Sequence, residues 1–162
     1  MVLLVQYTLI FASVLALVAL GGCFSEHSGV INIGLEGIMV MGALGGALAM
    51  KFLPASTPGI VLFILIVLAS VLVGMAFSLL LGFAAIHFNA DQTLVGTALN
   101  LMGTAAAVVI VRAINVAENP DNVSSTVVYR QAKQVFLVKI GDFEFNWFML
   151  IIVLAIIASH IV

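Results

Sequence analysis

The chain has 162 residues, of which 64% are apolar and only 7% are Asp, Glu, Lys or Arg. Soluble globular domains carry about 25% charged residues, so this sequence lacks the charge that a solvated surface needs. Five Lys and Arg residues are too few for a phosphate-binding face, which excludes a nucleic-acid binder, and a single cysteine excludes a disulfide framework. The composition predicts an all-α, polytopic bundle of transmembrane helices, in one domain over residues 1–162.

Charged residues are sparse enough to mark the ends of the membrane spans. A hydrocarbon core about 30 Å thick needs about 20 apolar residues per helix. About five such runs are predicted, at residues 2–24, 35–53, 59–86, 94–111 (ended by Arg112) and from Trp147 to the end of the chain, where the last run is cut short. Residues 113–146 form the one long loop, in which the alternation at 143–145 predicts a short strand or an amphipathic lip.

A first polar island lies between the first two spans. Glu36 stands at the edge of an apolar run, where an ionised carboxylate costs about 2.5–3.5 kcal/mol on insertion scales. Asn32 lies four residues earlier, so that the two side chains share a face if this segment is helical. The glycines here weaken a helix, which predicts a broken or re-entrant helix near residues 25–37. Two interpretations of Glu36 stay open, a polar pathway and a helix cap held by the helix dipole.

A second polar island opens the fourth span. Asp91 is predicted to be the N-cap or first-turn acid of that helix. Thr93, Thr97, Asn100 and Thr104 follow at helical spacing on one side. Because a polar stripe on a membrane helix must face another helix or a cavity, both interhelical hydrogen bonding and the lining of a substrate path stay open.

Small residues recur every four positions on the second and third spans. Ser70, Gly74, Ser78 and Gly82 form one stripe, and Gly42 with Gly46 forms another. Such stripes predict close helix packing rather than a function. The sequence offers no metal-ligand spacing, no nucleophile with a supporting base and no phosphate-binding loop, so we expect neither a metal, nor a cofactor, nor an enzymatic activity.

Two longer motifs carry a resemblance. Residues 21–39 read GGCFSEHSGVINIGLEGIM, and residues 90–101 read ADQTLVGTALNL. In this order they closely resemble motifs of the membrane permease subunits of bacterial ABC importers for nucleosides and simple sugars, in the branched-chain amino acid and ribose permease superfamily. The family's usual forms are FSERSGVVNIGLEGM and ADQVVSGTALNL, and the first motif differs here mainly at His27, Ile31 and Ile38.

The resemblance implies a function, a location and partners. It implies a permease that forms the translocation pathway for a nucleoside or simple sugar in the bacterial plasma (inner) membrane. It further implies a cytoplasmic ABC ATPase, a second permease subunit that is homologous or identical, and an extracytoplasmic substrate-binding lipoprotein. The residues that match the family motifs are Glu26, Asn32, Glu36, Asp91, Gln92, Thr97 and Asn100. Among them, we expect Asn32, Glu36 and Asn100 to lie on the pathway or to brace the broken helix.

The resemblance also leaves a conflict about orientation. Permeases of this family are longer and continue from the fifth span into a basic cytoplasmic loop, so we expect this chain to be an N-terminal half. The resemblance then places the loop at 113–146 outside the cytoplasm. However, Arg130, Lys133 and Lys139 lie in that loop, and the positive-inside rule places it in the cytoplasm. We adopt the orientation that the resemblance implies.

Two rival functions belong to other classes. The first is a small structural or assembly protein of the membrane, in which the polar islands only hold helices together. The second is a proton-coupled secondary carrier that uses Glu36 as its proton site.

Overall fold

The computed structural model describes residues 2–29, 31–54, 56–128, 137–140 and 143–146. Four helices in this part are long and apolar enough to cross a membrane, and two short strands follow them. The elements are α1 (Val2–His27), α2 (Leu35–Phe52), α3 (Gly59–His87), α4 (Gln92–Glu118), β1 (Leu137–Ile140) and β2 (Phe143–Asn146). The polytopic helical bundle is thereby confirmed, while the predicted fifth span lies outside the described residues.

The strands form an antiparallel hairpin beyond the helices. Val138 pairs with Phe145, and Lys139 pairs with Glu144. The strand predicted from the alternation at 143–145 is confirmed as β2. Its partner β1 carries no comparable alternation of apolar and polar residues, and it was not predicted.

The fourth helix is longer than its predicted span. α4 ends at Glu118, so residues 113–118 of the predicted loop are helical and the prediction that Arg112 ends the helix is wrong. Arg112 is exposed on the helix surface, where a long side chain can extend its charge away from apolar surroundings. The extra turns bring Asn115 and Glu118 to the end of α2, where both find a partner in Lys51.

Helix α2 packs between two neighbours that run in opposite directions. It lies parallel to α4, because Gly37 contacts Leu99 near the start of both helices and Lys51 contacts Glu118 near their ends. It lies antiparallel to α3, where Gly42 approaches the carbonyl oxygen of Ser70. The parallel packing of α2 and α4 therefore places their N-terminal ends side by side.

The contact between α2 and α4 depends on glycine. A Cβ atom at Gly37 would lie 2.5 Å from the carbonyl oxygen of Leu99, and one at Gly103 would lie 2.8 Å from the Cα atom of Gly37. On the other side of α2, a Cβ atom at Gly45 would lie 2.7 Å from a methyl group of Val73. Because backbone cannot yield as a flexible side chain does, any Cβ atom at Gly37 must push the two helices apart.

The small-residue stripes predict this packing in part. Gly42, Gly46, Ser70 and Gly74 lie in the α2–α3 contact, as predicted. At Gly82, by contrast, a Cβ atom would meet nothing within 4 Å. Gly82 therefore makes no close helix contact with the other described residues.

The apolar core lies where α3 meets α4 beside α2. Phe77, Leu81 and Leu99 are buried together, and Ile38 and Val95 are among the residues that pack against them. The side chains of Ile38 and Val95 therefore mark the faces of α2 and α4 that are turned towards α3.

A polar network joins the C-terminal ends of α2 and α4. The Lys51 Nζ atom lies 2.9 Å from a carboxylate oxygen of Glu118 and donates a hydrogen bond of 3.2 Å to Asn115 Oδ1. Asn115 is only 2% exposed and donates from Nδ2 to the carbonyl oxygens of Ser124 and Thr126, at 2.9 and 3.0 Å. The chain that follows α4 is therefore held against the end of the helix pair.

We expect Gly37→Ala to separate α2 from α4. Overpacking of a close contact costs about 1–3 kcal/mol, which lowers the thermal midpoint of the detergent-solubilised chain by several degrees. Gly82→Ala is the matched control, since its added methyl group enters open space. An unchanged midpoint for Gly37→Ala would show that the two backbones do not touch.

We expect Asn115→Ala to free the segment that follows α4. Two carbonyl oxygens lose their donor, at about 1 kcal/mol for each hydrogen bond, while Lys51 keeps its contact with Glu118. Hydrogen exchange at residues 122–128 should accelerate several-fold. Val116→Ala, at the exposed neighbouring position, should leave that exchange as it is in the wild type.

Candidate functional site

The helical path breaks between α1 and α2, within the predicted region near residues 25–37. α1 ends at His27, where Gly29 adopts a φ of +80° and donates its N–H to the carbonyl oxygen of Glu26 at 2.9 Å. This conformation favours glycine, because other side chains clash with the backbone there. α2 begins at Leu35, and its N-cap residue is Gly34. Since glycine has no side chain, the N-cap makes no side-chain hydrogen bond to the helix. The helical path is therefore interrupted inside the predicted region, between two helices that are each long enough to cross a membrane.

Asn100 of α4 binds both the end of this break and the first turn of α2. Its Oδ1 atom accepts a hydrogen bond of 2.8 Å from the backbone N–H of Gly37, in the first turn of α2. Its Nδ2 atom donates at 2.8 Å to the carbonyl oxygen of Ile33, before the helix begins. The first N–H groups of a helix have no partner within it, so Asn100 supplies from a neighbouring helix the cap that Gly34 cannot.

Two further side chains bind the backbone of the break. The Oε1 atom of Gln92, the first residue of α4, accepts from the N–H of Ile31 at 3.2 Å. The Oδ1 atom of Asn32 accepts from the N–H of Gly34 at 3.1 Å. This local bond competes with helix formation, so Asn32 precedes α2 and the helical face that it was predicted to share with Glu36 does not form.

Close approach of two backbones makes these bonds possible. A Cβ atom at Gly96 would lie 2.9 Å from the backbone nitrogen of Gly34. With both residues lacking Cβ, the break lies directly on α4, and the short amide of Asn100 reaches both of its partners. Gly96 and Gly103 stand seven residues apart on the same face as Asn100, a spacing that escaped the sequence analysis but was available to it.

The acidic residues of the motifs occupy different positions. Asp91 is the N-cap of α4, as predicted, and accepts from the backbone N–H groups of Thr93 at 2.8 Å and Leu94 at 3.3 Å. The hydrogen bond from Leu94, followed by that from Thr93, lowers the pKa of the exposed Asp91 carboxyl group. Glu26 is exposed in the last turn of α1.

Glu36 lies in the first turn of α2 and is exposed. The position suits a carboxylate, because the N-terminal end of a helix carries partial positive charge. Its direction follows from its neighbours. Gly37 faces α4 and Ile38 faces α3, and successive residues of a helix are about 100° apart. The Glu36 side chain therefore projects from the side of α2 that is turned away from α3.

Threonines project from the same side of the helix pair. Val95 packs into the core towards α3, and Thr97 lies two residues further on, about 200° around α4. Thr104 follows Thr97 by seven residues, which returns it to the same face, and both are exposed. Glu36, Thr97, Asn100 and Thr104 thus line the side of the parallel α2–α4 pair opposite α3. We call these four residues the polar seam.

The interhelical interpretation of the polar stripe holds for one of its members. Asn100 binds the backbone of another segment, whereas the hydroxyl groups of Thr97 and Thr104 bind the backbone of α4 itself. Thr97 Oγ1 donates to the carbonyl oxygen of Thr93 at 2.8 Å, and Thr104 Oγ1 donates to that of Asn100 at 3.0 Å. Among the described residues, no group of three or more His, Cys, Asp or Glu side chains could hold a metal ion.

We expect the variants of Asn100 to loosen the break in two steps. Asn100→Asp keeps the acceptor for Gly37 but loses the donor to Ile33, whereas Asn100→Ala loses both hydrogen bonds. At about 1 kcal/mol for each bond, exchange of the Gly37 amide hydrogen should accelerate several-fold in the alanine variant and less in the aspartate variant. Asn119→Ala, an exposed asparagine at the other end of α4, is the control. Equal exchange in all four proteins would contradict a bracing role.

Comparisons with known proteins agree with the motifs. The family described as the permease component of branched-chain amino acid transport systems matches residues 4–162. A guanosine ABC transporter permease protein of Bacillus subtilis, NupQ, is 45% identical over 69% of this chain and 35% of its own length. A nucleoside ABC transporter permease protein of Lactococcus lactis, NupC, is 36% identical over 68% of this chain and 34% of its own length.

Another relative bears a sugar in its name. The putative glucose ABC transporter permease protein TsgC13 of Haloferax volcanii is 36% identical over 62% of this chain and 29% of its own length. The chain therefore aligns with about a third of the length of each of these relatives. No solved structure matches it. With a family match over nearly its whole length and four helices able to cross a bilayer, the chain belongs to the permease-component family of the branched-chain amino acid transport systems, as a multi-pass protein of the plasma membrane.

Proposed function

We propose that this chain forms part of the translocation pathway of an ABC importer for nucleosides. Two of its relatives are named as permeases for guanosine and for nucleosides, at 45% and 36% identity. The glucose permease named among the relatives keeps a simple sugar as the second candidate substrate. Both solutes are neutral and rich in hydroxyl groups, which suits polar side chains without a cationic cluster.

The observation that carries this proposal is the pair of hydrogen bonds from Asn100 to the break. The break separates two helices that are each long enough to cross a membrane. Transporters place non-helical backbone beside the substrate site, and we propose the same position for this break. The polar seam begins at the same bonds and continues along α4 as exposed polar side chains, which are costly against lipid.

The motif residues then take two kinds of role. Asn32, Gln92 and Asn100 brace the break, and Asp91 caps α4. Glu36 and Thr97 line the pathway. Glu26 stands at the end of α1, where the pathway would open beside the break. The segment that follows α4, residues 119–146, faces the extracytoplasmic side in this proposal.

The transport cycle requires partners. Hydrolysis of ATP belongs to a separate cytoplasmic ATPase, so the chain itself is not an enzyme. A second permease subunit, homologous or identical, completes the pore, and an extracytoplasmic binding lipoprotein delivers the substrate. In the assembled complex, the exposed polar side chains of the seam would then pair with a partner subunit or with the neutral substrate. No charge on the substrate is needed to explain them.

The direct test is uptake of radiolabelled guanosine. The chain is expressed, with the ATPase, the binding protein and any further permease subunit encoded beside its gene, in a host without nucleoside uptake. We expect accumulation that requires an active ATPase, survives a protonophore and is blocked by unlabelled nucleosides more strongly than by glucose.

Other outcomes identify the rivals. Uptake that needs no ATPase and collapses with a protonophore would identify a secondary carrier with Glu36 as its proton site. Accumulation of glucose or leucine in place of guanosine would contradict the substrate. No accumulation of any of the three, with all partners present in the membrane, would support a structural or assembly protein.

A further inference from the structure

The hydroxyl groups of the polar seam have already used their protons. Thr97 Oγ1 donates to the carbonyl oxygen of Thr93 at 2.8 Å. Thr104 Oγ1 lies 3.0 Å from the carbonyl oxygens of both Asn100 and Leu101, and donates to them. A hydroxyl group has one proton and two lone pairs, so each threonine can only accept a hydrogen bond from a molecule beside the seam.

The Asn100 amide is similarly committed. Its oxygen accepts from Gly37, and one of its two N–H groups donates to Ile33. One partner lies in the first turn of α2 and the other just before that helix, so the amide is turned towards α2 rather than along the seam. At most one N–H group of the amide remains available to a ligand.

Glu36 completes the series. Its exposed carboxylate, when ionised, offers two acceptor oxygens and no donor. Because Gly37 contacts Asn100, and Thr97 lies three residues before Asn100, Glu36 and Thr97 stand within about one helical turn of each other along the bundle. The two side chains therefore lie at similar heights on the same side of the helix pair.

We infer that the polar seam selects neutral solutes that present hydrogen-bond donors and that it rejects anions. The inference rests on the proposed function and names the chemistry of its substrate. A ribose diol or the N–H edge of a purine offers paired donors to a carboxylate and a neighbouring hydroxyl oxygen. A phosphate or a free carboxylate presents only hydrogen-bond acceptors, which cannot bond to the acceptor oxygens of Glu36 and Thr97. Its negative charge is also repelled by the Glu36 carboxylate.

This selection separates compounds that share the guanine base. Guanosine satisfies the seam, whereas guanosine 5′-monophosphate adds charge that the seam opposes. 2′,3′-Dideoxyguanosine keeps the base but lacks two donors, so its binding reports on the sugar alone. The three compounds therefore probe charge and donors independently.

The test measures binding to the membrane complex itself. The full chain and its membrane partners are reconstituted in nanodiscs without the binding protein, and binding of guanosine is measured with each of the other two compounds as competitor. In the wild type, we expect guanosine 5′-monophosphate to compete at least tenfold less well than guanosine. Glu36→Gln should weaken guanosine binding about tenfold and narrow its advantage over the monophosphate.

Two threonine variants give the matched comparison. Thr97→Val should weaken guanosine binding about two- to tenfold by removing one acceptor, whereas Thr97→Ser should retain it. Thr8→Val removes a hydroxyl group with the same kind of back-bond, to Leu4 in α1, and should change nothing. The thermal midpoint of each variant confirms folding.

The outcomes separate this inference from the proposed function. If guanosine binds the wild type and both Glu36→Gln and Thr97→Val leave its affinity and selectivity unchanged, the acceptor selection is wrong and the importer role stands. If guanosine is neither bound nor taken up by the wild type, the proposed function itself fails.

Discussion

The described structure depends on one constraint, the direct backbone contact between α2 and α4. Gly37 lies against the backbone of Leu99 and Gly103, and Gly34 lies against Gly96. Lipid is as apolar as the helices, so no hydrophobic effect drives membrane helices together. Close backbone packing of this kind supplies the attraction instead. The contact brings a short amide within reach of a break in the helical path, and a longer separation would leave that backbone without partners.

Satisfaction of the backbone explains why the polar residues sit where they do. Gln92, Asn32 and Asn100 bind N–H or carbonyl groups of the break, and Asp91 binds the first N–H groups of α4. At the other end, Asn115 binds the carbonyl groups of the returning chain. In an apolar medium each unpaired group costs several kcal/mol, so amide side chains are placed where helices stop.

The sequence predicts the spans well because charges and prolines interrupt apolar runs at their ends. It misplaces the end of α4, because the residues that stabilise its last turns find their partner, Lys51, more than 60 residues away in the chain. The break is predictable from glycine spacing. The role of Asn100 is not, since a helical stripe does not reveal whether an amide faces a neighbouring helix or a cavity. That choice is made by Gly96 and Gly103, whose lack of a side chain is informative only once their partner is known.

The parallel arrangement of α2 and α4 has an electrostatic consequence. Two helices that lie side by side in the same direction place like ends of their macrodipoles together, and an apolar surrounding screens this repulsion weakly. Glu36 and Asp91 stand at the two positive ends, while Lys51 stands where both negative ends meet. These three charges act as counterions to the helix backbone and so help the parallel pair to persist in a bilayer.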